Sequence, residues 1–337
     1  MKRRITLADL ANELKLSKTL ISLVLNGKGN DHNISKITQK KVLELAESRN
    51  YKPLQSARSL RTGKSGIIGL IVPSISNSFY AAIAEGIERQ LSKVQLRLFV
   101  SNSNEDSLKE KDQVQLLLQH NIDGLIVAST LDNPEYYEKL AKTGLPVVFF
   151  DRCFDNCKLP CVEVNNYDAT YEALQKLLKK GYKNILFMSP GPAHLNSLNL
   201  RKKAYTDLQK DGKVGDLQPI EINTNNTAAE IKLSLDSYIK NTKSKKAVFT
   251  ANNELAFEVI SYCKKEKLVI PSDIAIWSFD DLLMFGIYSP TISGIDQPVF
   301  EIGERAADLM IESLEEPNAK KSRKITLIAE IKERESV

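Results

Sequence analysis

Two hydrophobic rhythms divide the chain. Up to about residue 50, apolar residues recur at helical spacing in short blocks. Leu7, Leu10, Ala11 and Leu14 make one stripe, Leu20, Ile21 and Val24 a second, and Ile37, Val42, Leu45 and Ala46 a third. This period marks amphipathic helices that bury one face. Thr6 followed by Asp9 at the third helical position comes close to a capping box, and Ser17 and Ser35 are good N-caps. Lys15-Leu16 suits a tight turn, and Asn26-Gly27 suits a left-handed stop. The pattern predicts helices over 6–14, 17–26 and 35–49 around a minimal core, with a polar loop over 28–33. Tyr51-Lys52-Pro53 stops the third helix. Residues 54–63 have room for about two turns, which are marginal alone in water. They are either a linker or a segment that orders on binding.

From Ile67 the rhythm changes. Apolar runs without alternation predict buried strands over 67–72, 96–100, 125–128, 147–150 and 161–164, with helices over 79–91, 109–120 and 136–141 between them. The scheme then restarts, with strands over 185–188, 219–222, 247–250 and 274–278 and helices over 168–178, 200–210, 227–239 and 255–265. Strands of this kind separated by helices belong to parallel sheets covered on both faces. Two successive series predict two α/β lobes. Ligands of open α/β sheets bind outside the carboxyl ends of the strands, so the cleft between the lobes is the expected site.

Charge sharpens this division. The whole chain is at +5, but residues 1–64 hold 14 Lys and Arg against 5 Asp and Glu, leaving a mildly acidic remainder. A small basic head on an acidic body is expected to meet a polyanion, with a steep salt dependence. Taken alone, residues 17–26 fit two descriptions equally well. They could be a groove-reading helix with Lys18, Thr19 and Ser22 outward, or an ordinary amphipathic surface helix. The basic head favours the first.

Other chemistry is poorly represented. Gly63-Lys64-Ser65 ends like a phosphate loop, but Arg58 stands where that loop needs glycine. There is no G-x-S-x-G, no G-x-G-x-x-G and no nucleophile–base set, so an enzyme is not expected. Cys153, Cys157 and Cys161 lack a C-x-x-C pair or a nearby histidine, which argues against a metal, and the expectation is a structural or incidental role, with the thiols reduced. His32, His120 and His194 are scattered, with His194 placed to edge the cleft. No apolar run approaches the roughly 18 residues of a membrane span, and no secretory pattern opens the chain. A cytoplasmic protein without cofactor or metal is expected.

The residues also carry a resemblance. Ala11, Ser17-Lys18-Thr19, Ser22, Val24-Leu25-Asn26-Gly27, Val42, Tyr51, Pro53 and 57–63 (Ala-Arg-Ser-Leu-Arg-Thr-Gly) resemble the DNA-binding domain of the lac/gal repressor (LacI) family. Ile68-Gly69-Leu70-Ile71-Val72-Pro73 and Ser76-Asn77-Ser78-Phe79 are similar to the start of its sensor domain. The likeness continues more loosely through Val148-Phe149-Phe150-Asp151-Arg152, Phe279-Asp280-Asp281 and Gln297-Pro298. It implies an all-α helix-turn-helix domain over 1–53, a hinge over 54–65 and a two-lobed, periplasmic-binding-protein-like sensor over 66–337. In that sensor, 66–164 with 295–322 would form one lobe, and 165–294 with 323–337 the other. By the same resemblance Lys18, Thr19 and Ser22 read the major groove, and Thr6, Ser17, Asn26 and Tyr51 hold phosphates. Ala57, Arg58 and Leu60 belong to a hinge helix whose leucine wedges into the minor groove. Leu23 departs from the family, since many relatives carry there an arginine that reads guanine.

Carried over in the same way, Phe79, Tyr80, Asp151, Arg201, Asn252, Asp280 and Gln297 would bind a small-molecule effector, expected to be a sugar. Aromatic faces, carboxylates and arginine forks suit sugar hydroxyls. Each residue also has a plainer role open to it. Phe79 and Tyr80 could be helix core, Arg201 a solvated helix residue, Asp280 a loop cap, Asn252 the N-cap of the next helix, and Gln297 a helix start. Trp277-Ser278 departs from the family's aliphatic residue and glycine, and could reshape the pocket floor. The whole implies a ligand-controlled repressor that binds a palindromic double-stranded operator as a homodimer. No leucine heptad follows the last strand, which favours a dimer over a tetramer.

Overall fold

The computed structural model describes residues 5–51, 64–191, 194–223, 226–316 and 323–337. They fall into two compact units, Met1–Ser65 and Gly66–Val337.

The first unit is three helices, α1 (Leu7–Leu14), α2 (Lys18–Leu25) and α3 (Lys36–Ser48). Their starts follow from the caps. Thr6 and Asp9 close a reciprocal capping box, Ser17 Oγ accepts from Leu20 N at 3.1 Å, and Ser35 Oγ accepts from Thr38 N. Each such cap is worth about 1 kcal/mol. Lys15 turns the chain in a left-handed conformation between α1 and α2, and Gly27, at φ +74°, ends α2. The core is Leu10, Ala11, Ile21, Val24, Val42 and Ala46, with Leu20, Leu45 and Tyr51 packed around it. One expectation is corrected. Ile37 is 71% exposed, because Thr38 and Lys36 flank it in the first turn of α3, ahead of the stretch that packs on α1 and α2. An ion pair from Arg49 to Glu13 (2.6 Å) ties α3 to α1.

The second unit is two α/β lobes. In the first, β1 (Ile67–Val72), α4 (Ser78–Lys93), β2 (Arg97–Asn102), α5 (Ser107–Gln119), β3 (Gly124–Val127), α6 (Glu135–Lys142), β4 (Val147–Phe150) and β5 (Cys161–Val164) follow in turn. The second holds α7 (Asn166–Lys179), β6 (Asn184–Pro190), α8 (Asn196–Lys210), β7 (Ile220–Ile222), α9 (Thr227–Asn241), β8 (Lys246–Thr250), α10 (Asn253–Lys265), β9 (Ala275–Phe279) and β10 (Ser293–Asp296). The chain then returns to the first lobe with α11 (Val299–Glu315) and β11 (Lys324–Leu327), and ends in the second with β12 (Glu330–Lys332).

The first sheet has the order β11-β5-β4-β3-β1-β2 and is parallel throughout. The second has the order β12-β10-β9-β8-β6-β7. It is parallel except at β12, which runs antiparallel to β10. The inner strands are buried almost residue by residue, as sheets covered on both faces require, whereas the edge strands β2 and β11 are exposed or half-buried. The expected lobe boundaries shift. Ser293–Asp296 pairs with β9 of the second lobe, and Lys324–Leu327 pairs with β5 of the first. The last strand lies at Glu330–Lys332. Strand partners set these memberships, and short strands of mixed polarity carry too little pattern to reveal them.

Three crossings join the lobes, at 165, at 297–298 and at 328–329. Asn165 ties the first to the third, because its N–H donates to the Leu327 carbonyl and its Oδ1 accepts from Ala329 N at 2.9 Å. Helices α4 and α11 touch through Gly86 and Gly303. A Cβ on Gly86 would stand 2.6 Å from the Phe300 carbonyl oxygen, and one on Gly303 would collide with the Ile83 carbonyl oxygen.

Of the cysteine expectation, the reduced state of all three thiols is corrected. Cys153 and Cys161 lie with Cα atoms 5.9 Å apart and form a disulfide, a separation within the usual range for that bond. Cys157 and Cys263 are free thiols. Trp277 does not form a pocket floor. It is fully buried in the core of the second lobe among residues such as Phe249 and Phe279.

Candidate functional site

Two regions bring the expected residues together. In the helical unit, Ser17, Lys18, Thr19 and Asn26 are exposed and Ser22 is half-buried. Burial of Ile21 and Val24 turns these polar residues outward from α2. Asn26 Nδ2 already donates to the Ser22 carbonyl (2.6 Å) and its hydroxyl, so one end of this face is internally bonded. Thr6 spends its hydroxyl on Asp9 at 2.8 Å. Tyr51 packs its ring on the small core. Pro53, Ala57, Arg58 and Leu60 lie outside the described residues.

The second region is a cavity of about 330 Å³ between the lobes of the α/β unit. All seven residues expected around an effector line it. Phe79 and Tyr80 come from the first turn of α4 and also belong to the core. Their two alternative roles are therefore held together. Asp151 follows β4 and Asp280 follows β9, at the carboxyl ends of their strands. Both take left-handed backbone conformations, at φ 59° and 75°, which are uncommon outside glycine. Each carboxylate is thereby turned off its strand toward the cleft. Asn252 likewise holds both roles. Its Oδ1 caps α10 by accepting from Leu255 N, and it also lines the cavity.

The cavity is a bonded network. Tyr80 Oη donates to Asp151 Oδ2 at 2.9 Å. Asp280 accepts from Gln297 Nε2 (2.5 Å) and from Asn253 N (3.1 Å). Arg201, at 4% exposure, donates through Nε to Asn166 Oδ1 and through one terminal nitrogen to the Ala251 carbonyl. It lies on the Phe279 ring, Cζ 3.4 Å from the centroid. Burial pushes the Asp280 carboxyl above its ordinary range, with Arg201, Gln297 and Asn253 pulling it back. Burial also lowers Arg201 against the pull of Asp280 and Asp151. The Tyr80 hydroxyl is driven well up by burial, so it stays a donor.

Several lining residues were not anticipated. Arg152 makes a forked pair with Glu105 at 2.6 and 2.7 Å. It stood in the quoted 148–152 motif, and its acidic partner, 47 positions away, could not be read. Asn77 and Glu254 also line the cavity. Across the cleft, Asn77 and Asn253 exchange amide bonds (3.1 and 3.3 Å), and Asn77 also donates to Glu254. His194 does not line the cavity. Its Nε2 lies 2.9 Å from the Thr130 carbonyl of the other lobe. Thr130 is held in turn by the buried Glu110, which accepts its N–H and hydroxyl. Asn196 Nδ2 donates to Asp155 at 3.0 Å, a further bond between lobes. Among the described residues no His, Cys, Asp or Glu cluster could hold a metal, and no helix is long and apolar enough to cross a membrane.

Known proteins match this arrangement. The profile of periplasmic binding proteins and the sugar binding domain of the LacI family matches residues 65–334. Catabolite control protein A of Priestia megaterium is 30% identical over 311 residues, covering 91% of each chain. The ribose operon repressor of Bacillus subtilis is 29% identical over 309 residues, covering 91% of this chain and 90% of its own. Among solved structures, a lac repressor dimer bound to operator and an anti-inducer superposes with a TM-score of 0.83. It is 21% identical and 99% of each chain is covered.

Proposed function

Because the chain belongs to the LacI family of transcriptional regulators, we propose that it is a repressor that binds a two-fold symmetric operator as a homodimer and answers to a sugar in its cleft. The observation that carries this reading is the cavity itself. Side chains from both lobes and from the crossing at Gln297 converge on one space, so a ligand held there interacts differently with open and closed arrangements. Differential affinity of that kind is what shifts a two-state equilibrium. A sugar suits the mixture of aromatic rings, carboxylates and amides, and the ribose operon repressor is among the relatives.

In this reading Lys18, Thr19 and Ser22 contact base edges, while Ser17, Asn26 and Tyr51 hold phosphates. Thr6 can join them only by releasing Asp9. Ala57, Arg58 and Leu60 act in the hinge between the two units. The dimer uses apolar side chains left exposed on both lobes. Phe99 and Val100 stand on β2, an edge strand, and Leu283 opens a short 3₁₀ turn that Ile287 closes. Edge strands and exposed apolar residues are natural places for a partner.

Selection of bound fragments from a random DNA pool, followed by titration at several salt concentrations, tests the reading. Palindromic sites and a steep salt slope are expected. Binding as a monomer, or selection of no sequence, would overturn it.

A further inference from the structure

The charges around the cavity carry the reading further. Four carboxylates line it, those of Glu105, Asp151, Glu254 and Asp280, against the two guanidiniums of Arg152 and Arg201. No lysine or histidine lines it among the described residues.

Arg152 is committed and Arg201 is committed in part. Arg152 gives both terminal nitrogens to Glu105, so its fork, the feature that matches a phosphate or carboxylate, is closed to a ligand. Arg201 gives Nε and one terminal nitrogen to Asn166 and Ala251. Among the described residues, one of its nitrogens remains without a hydrogen bond. Arg152 also stands 3.8 Å from Asp151 through Nε, but its single positive charge is balanced by the close forked pair with Glu105. What remains is Arg201 against Asp151, Glu254 and Asp280.

The bonding capacity left over agrees. An ionised carboxylate only accepts, and its two oxygens offer about four sites. Asp151 has one acceptor bond filled, from Tyr80, and Asp280 has two, from Gln297 and Asn253. The ligand these groups lack is a donor, such as a hydroxyl or an ammonium. An oxyanion brings only more acceptors and more negative charge.

Resting on the reading of this cavity as the effector site, we propose that the effector is a monosaccharide without an acid group, and that the cavity ranks an amino sugar above its neutral parent and rejects the corresponding sugar phosphate or uronic acid. At about 330 Å³ the cavity lies near the lower end of the roughly 300–1,000 Å³ of ligand pockets, which suits a single ring. Juxtaposed like charges are penalised most where water is excluded.

Calorimetric titration of the full chain with matched sets tests this. The sets are glucose, glucosamine, glucose 6-phosphate and glucuronate, the same four for galactose and mannose, and ribose with ribose 5-phosphate. Within any set that binds, the acid-bearing member should be at least about tenfold weaker than the parent. Glu254→Gln and Asp280→Asn, each removing one negative charge, should narrow that ratio. A phosphate or uronate binding more tightly than its parent overturns the proposal while leaving a sugar effector standing. So does a ratio unmoved in both variants. If no member of any set binds, the sugar reading fails and the proposal with it.

Discussion

Arg201 lies over the ring of Phe279, its guanidinium carbon 3.4 Å from the ring centroid. The ring immediately precedes Asp280, so one strand end supplies both the platform for the cation and the carboxylate facing it. A guanidinium so placed is fixed on one side by the ring and at its edges by Asn166 and Ala251.

A lysine cannot reproduce this, because it lacks the planar fork and stacks poorly. Arg201→Lys is expected to weaken binding of the cognate sugar by about a hundredfold or more, or about 3 kcal/mol. DNA binding without sugar should stay near the parent's. Titration calorimetry and operator binding, measured on one preparation, separate the two effects.

Asp280 should cost stability for the sake of its site. Its folded pKa is raised by burial, so between the unfolded and folded values the native chain binds more protons than the unfolded one. Stability from this group therefore falls as pH rises through that interval. Asp280→Asn is expected to raise the melting temperature at neutral pH, by about 1 kcal/mol of stability. The gain should shrink as pH falls below the usual carboxylate range. Thermal melts at a series of pH values check both the sign and the trend.

Asn77 joins two tasks. Its Oδ1 caps α4 by accepting from Phe79 N, and its amide reaches Asn253 and Glu254 of the other lobe. Asn77→Asp keeps the cap, which favours a carboxylate, but replaces the donor with a charge facing Glu254. Small-angle scattering of the unliganded variant should show a more open sensor, at little cost in melting temperature. An unchanged scattering profile would mean that these bonds do not set the lobe closure.

The reading helix makes a separate forecast. Thr19→Ala should relax base preference at one position in each half-site, costing about 1–3 kcal/mol there. Asn26→Ala should weaken all sequences alike. Binding-site selection with each variant distinguishes the two patterns, and a uniform loss in both would remove Thr19 from base reading.

The chain's own pattern was enough to place most elements. Periodicity and caps marked α1 to α3, and unbroken apolar runs marked β1 and β4, because those signals are local. The cleft residues were legible through family likeness, and all but Arg201, which lies inside α8, stand next to a strand end or a helix start. Ile37 was misplaced because helical spacing names a stripe without saying where the stripe stops being covered.

What only the tertiary structure decided depends on residues far apart in sequence. It gave β11 to one lobe and β12 to the other, paired Arg152 with Glu105, joined Cys153 to Cys161, and sent Trp277 into the core instead of the cleft. It also put three carboxylates opposite one available arginine. Local pattern follows from backbone geometry and the burial of one face. Pairing across the cleft follows from where the folded lobes bring distant side chains together, and a linear sequence carries no trace of that distance.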